Sequence, residues 1–175
     1  PKDADTLHNL GLALSKIKDY DGAIGVFRRV LEINRDDFRA LTNLGLALYR
    51  TGDVDGAIST YRRALKINSS DGLTLNNLGV ALEEKRDIDG AIASYRRAIE
   101  VEPGNATDIF NLADTLYKKK KDYDGAIGMY RRVLEIDPKD ARTLRALGDA
   151  LRKKEDYDGA IDTYRRALEI DPKHV

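Results

Sequence analysis

Residues that could perform catalysis or bind a metal are scarce in this sequence. It contains two histidines, His8 and His174, at opposite ends of the chain, and it contains no cysteine. A metal site needs several ligands that converge on one point, and a phosphate site typically uses a glycine-rich loop before a helix. Neither pattern is present. We therefore expect that the protein is not an enzyme and that it holds no metal and no cofactor.

The charge of the chain is balanced. Lys plus Arg and Asp plus Glu each number 30, so the formal net charge is zero and gives no general attraction to nucleic acid or to an anionic membrane. No apolar run approaches the roughly 20 residues that span a bilayer, and no signal peptide is recognisable. The sequence therefore predicts a cytoplasmic location, with neither nucleic acid nor a membrane as a partner.

Asparagine and its neighbours form the feature that most resembles a binding site. Asparagine recurs at one position of a repeated pattern, and an aliphatic or acidic residue follows three positions later. The asparagines are Asn9, Asn43, Asn77 and Asn111, the aliphatics are Leu12, Leu46 and Val80, and the acids are Asp114 and Asp149. An amide both donates and accepts, so an asparagine column can pair with the backbone of an extended peptide. We predict these nine as peptide-binding residues, with the two acids favouring basic ligand residues.

Adjacent arginines are a second repeated feature. The pairs are Arg28-Arg29, Arg62-Arg63, Arg96-Arg97, Arg131-Arg132 and Arg165-Arg166. At about 100° per residue they lie opposite the apolar stripe of a helix. They could form a ladder for phosphates, or a solvated face with ion pairs to glutamates three and four residues further on. The neutral net charge favours the solvated face.

The elements that position these residues follow from one fixed spacing. Successive glycines of a recurring segment are 34, 34, 35 and 34 residues apart, at Gly22, Gly56, Gly90, Gly125 and Gly159. A period of this length is typical of stacked helical repeats. In the first copy, apolar residues from Leu7 to Leu14 predict one helix, and those from Ala23 to Leu31, after an N-cap at Asp19, predict a second. Each helix buries one face, so the two must pack together.

Two further details of the repeats carry structural predictions. Glycine recurs inside the first helix of the repeats at Gly11, Gly45, Gly79 and Gly148, with Ala113 in the fourth. Because such a glycine costs about 1 kcal/mol relative to alanine, it indicates close approach by another helix. The one additional residue falls in Lys118–Lys121. We assign it to a solvated turn between two helices, since turns tolerate insertions.

The recurring pattern Leu-x-x-Leu-Gly-x-x-Leu, Ala-x-x-x-Tyr-x-x-Ala and Pro resembles the tetratricopeptide repeat over essentially the whole chain. The resemblance implies an all-α, right-handed α-solenoid of five helix-turn-helix repeats and ten helices, in a single array over 1–175. The repeats are 4–37, 38–71, 72–105, 106–140 and 141–174, with residues 1–3 and 175 as parts of flanking repeats. One departure is Gly22 and its equivalents, where the family commonly has a glutamate that completes a capping interaction.

The asparagine column resembles the repeat arm of O-linked N-acetylglucosamine transferases, in which an asparagine ladder holds substrate chains. The match covers the four asparagines and ends at Ala146. The catalytic domain of that family is absent, so the resemblance implies a recognition arm at most. Chaperone-binding members use a lysine and asparagine clamp instead. The clamp can be aligned with this chain starting at any of three repeats. The positions of its first lysine and asparagine then hold His8 and Leu12, Thr42 and Leu46, or Asn76 and Val80, so the clamp is not present in any alignment.

We predict a protein-interaction scaffold that binds an extended peptide or partner protein in the concave groove of its first helices. The alternative is a structural, self-stacking or engineered array, or an excised fragment of a larger repeat protein, without a ligand of its own. No polar capping helix follows the last repeat, so the apolar face near Ile161, Tyr164 and Leu168 is expected to lack a neighbour. Under this alternative, we expect copies of the chain to associate head to tail through their uncapped ends.

Overall fold

A computed structural model describes residues 3–172, and this part of the chain is helical throughout, with ten α-helices and no β-strand. The helices are α1 (Ala4–Lys16), α2 (Tyr20–Ile33), α3 (Phe38–Arg50), α4 (Val54–Ile67), α5 (Gly72–Glu84), α6 (Ile88–Val101), α7 (Ala106–Thr115), α8 (Tyr123–Ile136), α9 (Ala141–Lys153) and α10 (Tyr157–Ile170). The predicted all-α fold of helix-turn-helix repeats is confirmed. Each odd-numbered helix is called a first helix below, and each even-numbered one a second helix.

The chain divides between Ser94 and Tyr95, within α6, into two compact units, which we call the N-terminal unit and the C-terminal unit. In the N-terminal unit, α1 packs on α2, α2 on α3, α3 on α4 and α4 on α5. In the C-terminal unit, α7 packs on α8, α8 on α9 and α9 on α10. That residues 1–175 form a single array stays a prediction.

Each unit has a core of aliphatic and aromatic side chains from both helix types. In the N-terminal unit, Phe27, Leu41, Tyr61 and Leu75 are at most 1% exposed. The corresponding side chains of the C-terminal unit, including Ile109, Tyr130, Val133 and Leu144, are equally buried. Burying such side chains is the main favourable contribution to folding.

The interior glycines of the first helices lie against an aromatic ring of the following helix. A Cβ atom added at Gly45 would lie 2.6 Å from Cε1 of Tyr61, and one at Gly148 would lie 2.6 Å from Cε1 of Tyr164. The same distance applies to Gly11 and Phe27. These distances are shorter than any non-bonded carbon contact allows. The close helix approach that the glycines predict is therefore confirmed at these three positions.

An aspartate joins the two helices of each pair. The amide of Asp19 donates to the carbonyl of Leu14 (2.9 Å), which closes α1, while the Asp19 carboxylate accepts from the amide of Gly22 (3.0 Å), which caps α2. A Cβ atom at Gly22 would lie 2.5 Å from the Asp19 carboxylate. Glycine therefore replaces the glutamate of the family pattern because the capping carboxylate lies directly over this position. The aspartates with the same pair of contacts are Asp53, Asp87, Asp122 and Asp156.

The residue before each of these aspartates has a left-handed backbone. Its φ is 90° at Gly52, and it is between 56° and 65° at Lys18, Arg86, Lys121 and Glu155. This conformation lets the amide of the aspartate reach back to the helix. It favours glycine, since other side chains are strained there. The sequence places glycine at one of these five positions.

The sequence predicts that the additional residue of the fourth repeat lies in the turn between the two helices. In the structure it is accommodated in the helix before that turn. After α7 the chain continues into a π-helical segment, Leu116–Lys120, which we call the π-turn. Lys121 then takes the left-handed position that Lys18 takes after α1. A π-helical segment absorbs one more residue than an α-helical one, which is why a single insertion produces it.

Within residues 3–172, no helix combines the length and the apolar character needed to cross a membrane.

Candidate functional site

The predicted asparagines of the N-terminal unit differ in their surroundings, and one of them, Asn43, lies at the junction between two first helices. Asn43 is half-buried, and its Nδ2 lies 3.3 Å from Nε2 of His8, so it links α3 to α1. The His8 ring packs edge-on against Phe27, with 5.7 Å between ring centroids. Asn9 is exposed. Asn43 therefore has a structural contact that the sequence did not indicate.

Asn77 differs from Asn43 in keeping an unused hydrogen-bond donor. It is half-buried, and its Nδ2 is inaccessible and has no partner among the described residues. Leaving a buried donor unpaired costs about 1–3 kcal/mol. The aliphatic residues predicted with the asparagines vary in exposure: Leu12 is 43% exposed, whereas Leu46 and Val80 are half-buried. Leu73, which the sequence analysis missed, is 61% exposed on α5.

Two further contacts cross between α3 and α5 in the same unit. Thr42 is buried, and its hydroxyl lies 2.5 Å from that of Thr74. Tyr49 is hydrogen-bonded to Glu84. Burial and this hydrogen bond raise the pKa of Tyr49 from 10.0 to about 12. Polar contacts thus join consecutive first helices at both ends of this junction.

The C-terminal unit contains a cavity of about 380 Å³ between the first helices α7 and α9. We call it the groove cavity. It brings together three of the predicted peptide-binding residues, Asn111, Asp114 and Asp149, with Ala146. Its other lining residues are Phe110, Tyr117, Lys118, Tyr130, Arg142 and Arg145. Tyr117 and Lys118 belong to the π-turn, so the inserted residue changes how the chain lines one end of this cavity.

Both acids of the groove cavity are already paired within the protein. The Asp114 carboxylate forms an ion pair with Nζ of Lys118 at 2.9 Å. The Asp149 carboxylate accepts a hydrogen bond from the hydroxyl of Tyr164 at 2.8 Å and lies 3.7 Å from Nη2 of Arg152. These contacts offset much of the negative charge that a ligand would meet.

Phe110 organises the wall of the groove cavity between two side chains. The guanidinium carbon of Arg142 lies 3.6 Å from the centroid of the Phe110 ring, a cation–π contact. The Tyr130 ring packs on Phe110 with 5.6 Å between centroids. The Tyr130 hydroxyl is buried and has no hydrogen-bond partner among the described residues. Burial, followed by the negative charges of Asp114 and Asp149, raises the pKa of Tyr130.

Sequence reasoning missed Phe110, Tyr130, Arg142 and Arg145 because it followed what the repeats share. The signal for three of them is a difference between repeats. Phe110 and Arg145 occupy the position that holds His8, Thr42 and Asn76 in the first three repeats. Among the first helices, only α9 has arginine both at this position and three residues earlier, where Arg142 lies. Tyr130, by contrast, follows the core pattern, so its free hydroxyl has no signal in the sequence.

A second cavity of about 580 Å³ adjoins the first along α9 and continues to α10. It shares Arg142, Arg145 and Asp149 with the groove cavity. Its remaining lining residues are Ala141, Arg152, Tyr164, Ala167, Leu168 and Asp171. Arginines of α9 therefore line both cavities of the C-terminal unit.

Two arginines of the adjacent pairs donate to backbone carbonyls. Nη2 of Arg63 donates to the carbonyl of Arg35 at 2.5 Å, and Nη2 of Arg132 donates to the carbonyl of Pro103 at 3.3 Å. Each bond ties a second helix to the turn that precedes its own repeat. In residues 3–172, no group of three or more potential ligands could hold a metal ion.

Comparisons with known proteins agree with this geometry. The family model of the tetratricopeptide repeat matches residues 8–72, 76–141 and 110–175. Among solved structures, a crystal structure of MamA is 25% identical, with 93% of this chain and 95% of that chain covered and a TM-score of 0.86. A MamA fragment from Desulfovibrio magneticus RS-1 is 17% identical, with 99% and 98% covered and a TM-score of 0.89.

A third solved structure is YrrB, described as a TPR protein with an unusual peptide-binding site. It is 22% identical, with 98% of this chain and 88% of that chain covered and a TM-score of 0.82. At this identity the likeness shows a common fold. No curated protein sequence matches the chain.

Proposed function

Because the chain belongs to the tetratricopeptide repeat family, we propose that it is a scaffold that binds an extended segment of a partner protein on its first helices. The observation that carries this proposal is the groove cavity, which collects Asn111, Asp114 and Asp149 between α7 and α9. The sequence predicts these three as peptide-binding residues. Binding, rather than catalysis, is the activity that such a surface supports, and a cytoplasmic location stays a prediction.

The groove cavity has the size and chemistry of a site for ligand side chains. Its volume of about 380 Å³ falls within the range of pockets that bind small groups. An amide such as that of Asn111 can pair with a peptide bond through one donor and one acceptor. Phe110 and Tyr117 provide apolar surface beside it. A bound backbone can thus be held without dependence on its sequence, while charged side chains supply selectivity.

The N-terminal unit offers a second surface of the same kind. Asn77 is half-buried on this surface, and rotation of its side chain would bring the unpaired Nδ2, inaccessible in the structure, to a ligand carbonyl. Leu73, with 61% of its surface exposed, and the half-buried Val80 lie on the same helix and provide apolar contact. Asn43 contributes less, because its amide already contacts His8.

YrrB supports the proposal only as a precedent for the fold. Its description records a peptide-binding site on a protein of the same architecture, at 22% identity. Peptide binding by this chain therefore depends on its own side chains, and these are the residues to test.

The test is titration of the protein with an arrayed library of extended nonapeptides, for the parent chain and for Asn77→Ala and Asn111→Ala. Each lost amide pairing should weaken binding by up to about tenfold, since a hydrogen bond contributes about 0.5–1.5 kcal/mol. Asn9→Ala, at an exposed position, is the comparison and should have the smallest effect. If no peptide binds, or if both variants keep the parent affinity for every peptide, the proposal is wrong.

Self-association is a second candidate, favoured by one apolar surface on α10. Ile161 and Leu168 are 46% and 43% exposed, whereas Ile127, the equivalent of Ile161 in α8, is 8% exposed. An apolar helix face of this kind can be covered by a second copy of the chain. Sedimentation at rising concentration should then show dimers that Ile161→Ser reduces. A strict monomer at millimolar concentration contradicts this candidate.

A further inference from the structure

We propose that the groove cavity selects a segment with a side-chain carboxylate, Asp or Glu, which binds between Arg142 and Arg145. This inference rests on the proposed function, because it names the ligand chemistry of the same site. It differs from the sequence-based expectation that Asp114 and Asp149 favour basic residues. The difference arises from the pairing of these two acids within the structure.

The balance of charge in the groove cavity is the first argument. Three cations, on Lys118, Arg142 and Arg145, face two carboxylates, on Asp114 and Asp149. Both carboxylates are engaged by other side chains of the protein, at 2.9 Å and 2.8 Å. Arg152 also lies 3.7 Å from Asp149, so the positive charges of Arg142 and Arg145 remain without a carboxylate partner among the described residues, and a ligand carboxylate offsets part of this charge.

The second argument is that the two arginines are prepared for an anion. The guanidinium carbon of Arg142 lies 3.6 Å from the centroid of the Phe110 ring, and this cation–π contact holds the guanidinium in the wall of the cavity. Arg145 is exposed, and its side chain forms no hydrogen bond or ion pair with the described residues. Planar guanidinium groups match a carboxylate through paired, charge-assisted hydrogen bonds.

The third argument is the unpartnered hydroxyl of Tyr130. The side chain is fully buried at 0% exposure, lines the groove cavity and has no partner for its Oη among the described residues. A buried hydroxyl without a partner is costly, so an acceptor that enters the cavity gains a hydrogen bond there. A carboxylate oxygen is such an acceptor, whereas an ammonium group is not.

The order of affinity follows from the charge of the group at the central position of the ligand. A carboxylate accepts charge-assisted hydrogen bonds from the guanidinium groups, an amide carries no charge, and an ammonium group is repelled by them. The predicted order is therefore Glu or Asp, then Gln, then Lys.

The experiment uses pairs of nonapeptides that differ only in having Glu or Gln at the centre. We expect the parent chain to bind the Glu member about tenfold more tightly on average, and the ratio to shrink as salt is raised. Arg145→Gln should abolish the ratio. Arg131→Gln, the same charge change on an exposed second-helix position outside the cavity, should preserve it.

A further variant distinguishes binding at this site from a general effect of charge. Tyr130→Phe keeps the ring in the core and should reduce the Glu to Gln ratio, with thermal melting used to check that the fold is retained. If peptides bind without a Glu preference, or if phosphoserine or Lys peptides bind best, the carboxylate assignment is wrong while the proposed function stands. If no peptide binds, both are wrong.

Discussion

Nδ2 of Asn43 lies 3.3 Å from Nε2 of His8, and this contact joins the first helices of two consecutive repeats. The asparagine that the repeat pattern assigns to ligand binding therefore also fixes how α3 lies against α1. A surface that binds and a surface that holds the repeats together share a residue here. Replacing Asn43 should therefore affect the stability of the fold more than it affects ligand binding.

Asn43→Ala is expected to lower the free energy of unfolding by about 0.5–1.5 kcal/mol, the usual contribution of a hydrogen bond. Asn9→Ala, at an exposed position of the same pattern, should be neutral or slightly stabilising, because alanine favours a helix. Urea denaturation of the two variants measures both changes. Equal stabilities for the two variants would show that the contact with His8 contributes nothing.

The interior glycines allow a matched pair of substitutions. Gly45→Ala places a Cβ atom 2.6 Å from the Tyr61 ring and should destabilise the protein by about 1–3 kcal/mol through overpacking. Gly25→Ala, in the exposed face of α2, meets no atom within 4 Å and should stabilise it by about 0.5–1 kcal/mol. Thermal melting distinguishes the two. A stabilising Gly45→Ala would mean that Tyr61 moves aside at little cost.

The left-handed residues before the joining aspartates give a route to greater stability. Arg86 has a φ of 64°, which is strained for a residue with a Cβ atom. Arg86→Gly should relieve this and stabilise the protein by about 1 kcal/mol, although glycine adds freedom to the unfolded chain. Gly52→Ala, at the equivalent position with a φ of 90°, should destabilise by a similar amount. The opposite signs, measured by denaturant unfolding, are the result to check.

Tyr49 predicts how stability depends on alkaline pH. Its pKa is raised from 10.0 to about 12 in the folded chain, by burial and by the hydrogen bond to Glu84. A raised pKa means that the folded state favours the protonated phenol. The stabilisation is therefore complete below pH 10 and is lost as the pH rises through 12. Tyr49→Phe should show a smaller fall in melting temperature between these values, whereas Tyr157→Phe, which is 60% exposed, should behave like the parent.

The helical architecture could be predicted from the sequence because the same pattern occurs in five repeats. The 34-residue spacing, the apolar stripes and glycines such as Gly45 are independent signals of the same helix pair. Repetition averages out the accidents of any one copy. Gly22 and its equivalents were recognised as a departure, but their reason required the position of the Asp19 carboxylate, 2.5 Å from where a Cβ atom would lie.

The candidate site was less predictable because it depends on what the repeats do not share. Phe110 is conspicuous only as an exception among the repeats, and its contact with Arg142 at 3.6 Å needs the packing of α7 beside α9. Whether an acid is free or paired is likewise a matter of distance. The sequence shows Asp114 and Lys118 four residues apart, and Asp149 and Arg152 three apart, but the hydrogen bond from Tyr164 to Asp149 needs the packing of α10 on α9.

The aspartate that joins each helix pair has a consequence for local opening. Asp19 closes α1 through its amide and caps α2 through its carboxylate, so neither helix end can fray without releasing the other. Amide hydrogen exchange at the end of a first helix and at the start of the next should therefore proceed as one event with a common protection factor. We therefore expect the smallest part of this molecule that opens independently to be a pair of helices linked by its aspartate.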